Sequence, residues 1–438
     1  MARNDRRVLI TGLAVISPVG IGAEAYRASL AERRGGIGPI RSFPVAGLPS
    51  SAGGEIANFR ARDHAVPKHA KALQKSLKYM ARDIQLAVAG AELAMADAGL
   101  IDGGVDPTRI GLDLGAGLIA TDLDELAPAM QKAFPNGKTL DYKAYAREGI
   151  PLIPPIWLLK YLPNMLACHI SILMDCQGPS NSITENEAAS NLAIGEATRI
   201  IQRGRADVMI AGGADTKIHP MSLVRIGLAE QMSNWAGDPA AACRPFDKDR
   251  AGIVPGEGAG ILILEEAEHA ARRGAKVYGE ILGAGSGCDA HPAGGQDPEG
   301  KGTEVAILAA LRDAGLKPSD IGHVNAHGSA TRISDLAEAR AIRRIFGDGQ
   351  SVPVTALKGY MGNLVSGCGV VEAIGSLLGV NSGWIPSVLH CDEQDPECGL
   401  DLVLGQSRPT DNPIFVNTNL TRNGQAAALV IRGQRSSG

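Results

Sequence analysis

Short β-branched and apolar runs alternate with longer stretches of helical periodicity along this chain. Residues 8–11, 110–114, 208–211 and 260–264 are compact apolar runs bounded by Gly or charged residues, which predicts buried strands. Residues 75–98 are rich in Ala and Leu and stop at Gly99, and residues 188–203 and 302–314 repeat the helical pattern. A second set of strand-like runs follows at 277–283, 323–326, 352–355 and 414–417, with 426–431 closing the series. Strands alternating with helices predict an α/β fold with mainly parallel central strands. The pattern runs twice, and the charged stretch 266–276 between the two runs reads as a surface helix.

The amino terminus carries two readings. Arg3, Arg6 and Arg7 precede an apolar stretch, residues 8–21, and Ala23-Glu24-Ala25 follows, which mimics a secretory signal. Gly12, Pro18 and Gly20 interrupt it, and the favoured reading is a first strand ending in a turn. No apolar run reaches the ~18 residues that span a membrane.

Composition narrows the class. The 438 residues are 45% hydrophobic and 21% charged, the balance of a globular chain long enough for two or three domains. Its 55 glycines call for tight turns and close backbone contacts, and a net charge of −4 gives no bulk attraction to nucleic acid. The seven cysteines are scattered, odd in number and without a CxxC pair. That pattern predicts reduced thiols in a cytoplasm, with no zinc site and no disulfide framework. No metal or other cofactor is expected.

Several ordered motifs then carry a resemblance. Gly178-Pro179-Ser180-Asn181-Ser182-Ile183-Thr184-Glu185-Asn186-Glu187-Ala188-Ala189-Ser190 leads into a helix and then Ala206-Asp207-Val208-Met209-Ile210-Ala211-Gly212-Gly213-Ala214. A long run from Arg244 to Gly260, Val324-Asn325-Ala326-His327-Gly328-Ser329-Ala330-Thr331 and Lys358-Gly359-Tyr360-Met361-Gly362-Asn363 follow in order. The chain resembles the β-ketoacyl synthases, condensing enzymes of fatty-acid and polyketide assembly. The resemblance implies a duplicated thiolase-like fold layered αβαβα, with halves at residues 1–270 and 271–438. It also implies a dimer whose contact includes residues 178–183.

Against that family the reaction centre departs at three places. Glu187 stands where the family has its acyl-accepting cysteine, and Asn363 stands at the second histidine. Residues 417–424, Asn-Thr-Asn-Leu-Thr-Arg-Asn-Gly, replace a Gly- and Phe-rich gating loop, so Leu420 and Arg422 are expected to sit poorly at glycine positions. Two roles fit Glu187: a general base or a charge that shapes an acyl pocket, and a helix-start acid that merely replaced the nucleophile. Glu185 reads as a first-turn acid. The resemblance gives His327 the polarisation of a thioester carbonyl or the promotion of malonyl decarboxylation, and packing of its loop is the plain alternative. Ser329 and Thr331 match hydroxyls that contact the pantetheine arm of an acyl carrier. Asn363 cannot carry a proton but can complete an oxyanion hole with His327. Lys358 and Glu338 match retained positions and are expected to form a buried, organising ion pair. Cys368 reads as a small buried hydrophobe rather than a substitute nucleophile.

Lys68, Lys71, Lys75 and Lys78 recur at helical spacing, as a docking stripe for an acidic acyl carrier protein or as a solvated face. Three functions remain open. The chain is a chain-length-factor-type partner of a cysteine-bearing ketosynthase; or a homodimeric enzyme acting on acyl- or malonyl-carrier through Glu187, His327 and Asn363; or a conventional β-ketoacyl synthase. Its partners in each case are an acyl carrier protein with its phosphopantetheine arm and a ketosynthase or itself.

Overall fold

A computed structural model describes residues 6–292, 295–347 and 352–434. Ten strands set the architecture. The first five are β1 (Val8–Ser17), β2 (Ile110–Ala116), β3 (Ser180–Ile183), β4 (Val208–Thr216) and β5 (Glu257–Glu266). The second five are β6 (Gly279–Cys288), β7 (His323–Asn325), β8 (Pro353–Thr355), β9 (Ile414–Leu420) and β10 (Gln425–Gly433).

Their order is the same in both sets: β3-β2-β4-β5-β1 and β8-β7-β9-β10-β6. The pairing senses repeat too. β3/β2, β2/β4, β8/β7 and β7/β9 are parallel, whereas β4/β5, β5/β1, β9/β10 and β10/β6 are antiparallel. The expectation of mainly parallel strands is corrected to a mixed sheet, because apolar runs buried on both faces read alike in either sense. β1 and β6 join the two units through Val8–Ile10. The Arg- and apolar-rich start is thus strand, with β1 buried along nearly its whole length.

Five helices matter for the site: α1 (Arg82–Asp97), α2 (Ala189–Gln202), α3 (Lys301–Ala314), α4 (Arg332–Phe346) and α5 (Cys368–Asn381). α1 covers the outer face of the first unit and α3 that of the second. Between the units lie α2 and α5, which pack on strands of both and give the five-layered αβαβα arrangement. α5 is apolar on every side but for Glu372 and Ser376 and is buried from Cys368 to Val380, as expected of a helix with no solvent face. Ile194, Ile201, Val370 and Ile374 of these helices share one core with Leu262 and Phe415 of the sheet. Each such side chain contributes about 1.5–3 kcal/mol by leaving water.

One predicted helix changes its start. Residues 75–98 do not form a single helix: Ala70–Ser76 is a short helix, Met80 and Ala81 are extended, and α1 begins at Arg82. Its predicted end holds, with Gly99 in the left-handed conformation at φ 68°. Among the described residues, β3 is the outer strand of its unit, hydrogen-bonded on one side only, to β2.

Candidate active site

The two central helices begin in matching turns that converge between the units. Asn186–Ala188 precedes α2 and Val365–Gly367 precedes α5, each as one turn of 3-10 helix. Each turn holds a left-handed residue, Asn186 at φ 42° and Val365 at φ 46°. Asn tolerates that conformation, but a β-branched Val does so only when its surroundings hold it there. Here Asn363 Oδ1 accepts from the Val365 N–H at 2.9 Å. Glycines let the turns press against the sheet: a Cβ on Gly213 would lie 2.4 Å from the Ser366 carbonyl oxygen.

Glu187 sits in the first of these turns, 6% exposed, and its Oε1 accepts from Asn363 Nδ2 at 3.0 Å. Burial holds its carboxyl above the usual range, opposed by the Asn363 hydrogen bond and the charges of Lys358 and Lys217. The helix start favours the anion, but burial wins. Glu185 precedes the turn and is half-buried, outside the cleft lining.

His327 lies just beyond β7 and its ring is fixed from one side. Lys358 Nζ approaches Nδ1 at 3.1 Å and Asn419 Nδ2 approaches it at 3.3 Å. An ammonium and a side-chain NH2 group only donate, so Nδ1 is the acceptor and the ring proton resides on Nε2. Burial, reinforced by the Lys358 charge, holds the imidazole well below its ordinary range, so it is neutral at pH 7. A neutral ring with its Nε2–H turned to the cleft is a hydrogen-bond donor for developing negative charge, not a proton reservoir.

Behind the histidine the expected ion pair is corrected. Lys358 Nζ bonds Glu372 Oε1 at 2.6 Å, not Glu338, and also donates to the His327 carbonyl at 2.7 Å. Burial would lower the Lys358 ammonium, but Cys368, Glu372 and Glu338 nearby outweigh it and raise it. Glu338, from α4, instead accepts the backbone N–H groups of His327 (2.7 Å) and Gly328 (2.9 Å). Burial pushes its carboxyl up to about 8 against those two bonds. Glu372 Oε2 in turn accepts from Asn419 Nδ2 at 2.7 Å.

The C-terminal segment is also not a loop. β9 runs through Asn419 to Leu420, and Thr421 closes a tight turn into β10, with its N–H on the Gln425 carbonyl at 2.7 Å. Neither Leu420 nor Arg422 has a positive φ; only Gly424 in the turn does, at 86°. The expected backbone strain is therefore absent, because a hairpin asks for one left-handed residue and Gly424 supplies it.

These elements enclose a cleft of about 200 Å³ lined by Glu187, His327, Ser329, Thr331, Asn363 and Arg422 among others. The structure thus brings five of the predicted site residues to one cavity. Ser329 Oγ and Thr331 Oγ1 lie 3.0 Å apart at its edge, and Thr331 caps α4 by accepting from the Ser334 N–H. Among the described residues, no cysteine lines the cleft. The Cys368 thiol faces Asn363 Oδ1 at 3.1 Å, wholly buried, and burial drives it well above the usual thiol range. It is no thiolate nucleophile.

Comparison with known proteins finds matches over nearly the whole chain. Residues 5–270 match the model of the β-ketoacyl synthase N-terminal domain, and residues 278–392 that of the C-terminal domain. This chain belongs to the β-ketoacyl synthase family. It is 36% identical over 428 residues to the 3-oxoacyl-acyl-carrier-protein synthase 2 of Synechocystis sp., covering 98% of each chain. Among solved structures it is similar to the ishigamide ketosynthase/chain length factor, at 30% identity and a TM-score of 0.84, covering 98% of this chain and 99% of the other. It is also similar to a ketosynthase in a complex described as a type II PKS acyl-carrier protein with its ketosynthase bound to the hexaketide. That match has 26% identity and a TM-score of 0.83, with 98% and 99% covered.

Within this ketosynthase fold, sequence reasoning missed Glu372 and Asn419 as parts of the site. Both left a signal. Glu372 is the lone acid in an apolar helix, and Asn417 and Asn419 are polar residues two apart in a strand, hence on one face. The lysine stripe is corrected. Lys71 and Lys75 share a short helix, but Lys68 precedes it and reaches the Ile101 carbonyl at 2.8 Å, and Lys78 lies in the next turn over the Tyr79 ring. All four are exposed and outside the cleft. No helix among the described residues is long and apolar enough to cross a membrane.

Proposed function

We propose that this ketosynthase-family chain serves fatty-acid or polyketide assembly as a non-condensing partner of a cysteine-bearing synthase, in the manner of a chain-length factor. One observation carries the reading: a buried carboxyl group, Glu187, occupies the start of the central helix, bonded to Asn363, in a cleft that no thiol of the described residues lines. Acyl exchange with a carrier thioester calls for a strong nucleophile such as a thiolate, and a buried carboxyl bonded to an amide is a poor one in either protonation state. In this reading Glu187 shapes the acyl end of the cleft. His327 and Asn363 supply polar groups to the cleft, Ser329 and Thr331 meet the pantetheine arm of an acyl carrier protein, and Lys358 and Glu338 are positioning residues. The one-sided edge of β3 supports dimer formation, since an unpaired strand edge invites a second chain. The division of the chain near residue 270 and a cytoplasmic site of action belong to the same proposal. The test is the native mass of the complex from its own source, with its components identified. A one-to-one complex with a cysteine-bearing synthase is expected; a homodimer without such a companion overturns the reading.

A second reading rests on the His327 tautomer. In a homodimer, the Nε2–H and Asn363 Nδ2 would stabilise the enolate formed when malonyl-carrier loses CO2. There the C–C bond to the carboxylate breaks and CO2 leaves, the electron pair of that bond moves onto the thioester carbonyl, and the enolate carbon then takes a proton from solvent water. Release of CO2 from malonyl-carrier by the purified protein, lost in His327→Ala, supports it. Glu187→Ala removes nearly all rate if Glu187 is the base and little if the chain is a partner subunit. An acyl adduct on any residue, seen by mass spectrometry, would restore a conventional condensing role.

A further inference from the structure

A second chamber of about 220 Å³ adjoins the cleft. Glu187, Ala229, Glu230, Ile253, Asn363 and Arg422 line both spaces, so Glu187 stands at their junction. The chamber walls combine apolar and cationic groups. Leu118, Ile226, Pro255 and Val365 are apolar, while Lys217, Arg225 and Arg422 carry charge. Lys217 is already neutralised by Asp215. Arg422 is different: its guanidinium forms no hydrogen bond or ion pair with any described residue and feels Glu230 only through space. Arg225 likewise lines the chamber without a described hydrogen-bond or ion-pair partner, on the exposed face of its helix. A guanidinium at a half-buried cavity wall, with its five donors unused, is a site for a carboxylate or another planar anion.

We propose that the chamber takes the distal end of a short acyl group bearing a carboxylate, and that Arg422 is the residue that selects it. The proposal rests on the acyl-carrier reading above. A volume below the ~300–1,000 Å³ typical of ligand pockets limits the group to a short one. Glu230 opposes it only in part: burial, then the neighbouring Glu187, push its carboxyl up to about 7, so part of it is uncharged at neutral pH. The hairpin turn that carries Arg422 is pinned by Gln296, whose side-chain NH2 group donates to the Thr421 carbonyl at 2.9 Å, so the guanidinium projects from a fixed support.

The experiment is calorimetric titration of the purified native complex with two pantetheine thioesters, glutaryl and pentanoyl, which differ in a terminal carboxylate. Glutaryl-pantetheine is expected to bind at least about tenfold more tightly. Arg422→Ala abolishes the difference, and Arg422→Lys restores part of it. Arg225→Ala, at the chamber mouth, reduces it less. Unchanged melting of each variant excludes misfolding as the cause. Equal affinities, or tighter pentanoyl binding, overturn the carboxylate preference and leave the acyl-carrier reading standing. No binding of either thioester sinks both.

Discussion

Behind the His327 wall of the cleft, Lys358 touches Glu372, the His327 carbonyl and His327 Nδ1, and Glu372 and His327 each have a further partner in Asn419. On the facing wall, Glu187 has one side-chain hydrogen bond, to Asn363. The first wall is over-determined: no member can change without stranding a buried polar group. The second is held by a helix start and a single amide, so its side chain is free to vary without loss of the fold. Of the positions where the resemblance implies a departure from the family, Glu187 and Asn363 lie on that second wall, whereas the replaced segment 417–424 contributes Asn419 to the first.

The comparison breaks first, and with the largest effect, at Lys358. Lys358→Met removes the cation and leaves the Glu372 carboxyl buried with only Asn419. A loss of about 3–5 kcal/mol in unfolding free energy is expected, read from denaturant midpoints at constant slope. A loss under about 1 kcal/mol would show that the wall is not cooperative.

Glu187→Gln probes the other wall and has the opposite sign. The folded chain holds the Glu187 carboxyl above its ordinary value near 4.3, so it keeps a proton that the unfolded chain releases. The stability of the native protein therefore falls as pH rises from that ordinary value to the raised one, and stays low above it. A glutamine keeps the acceptor for Asn363 and does not titrate. Glu187→Gln should gain on the order of 1 kcal/mol at about pH 8 and close to nothing at about pH 4. A variant less stable than the native protein at the higher pH would mean that the anion is welcome there, and that the helix start outweighs burial.

How far the sequence reached follows the same division. Strands were legible because both-face burial writes continuous apolar runs, as in β1 and β5, although such runs do not reveal strand sense. The turn at Glu187 was legible from the motif around it. The partner of Lys358 was not: Glu338 and Glu372 are both buried acids on helices, and only the fold decides that Glu338 faces the backbone of His327 while Glu372 faces the ammonium. Asn419 was hidden because residues 417–424 were read as a loop, whereas Gly424 alone closes the hairpin and leaves the asparagines in strand. The start of α1 was hidden because Ala- and Leu-rich periodicity runs across the extended residues Met80 and Ala81, which no propensity marks.

The smallest effect sharpens the contrast from outside the cleft. Lys71 and Lys75 stand four apart on one short exposed helix, the surviving core of the lysine stripe. Replacing both with Glu touches neither wall of the site, so unfolding free energy should move by no more than about 0.5 kcal/mol. Docking of an acidic carrier would behave differently. Two reversed charges in its path slow association, and the effect is long-ranged at low salt and screened beyond about 10 Å at 0.1 M. Surface-resonance binding of the acyl carrier protein should weaken several-fold at about 0.05 M salt and converge with the native protein near 1 M. Equal binding at both salts would make the pair a solvated face and move the carrier's docking surface elsewhere. A loss that persists at high salt would instead mean direct contact, with the two lysines inside the carrier interface rather than steering from its rim.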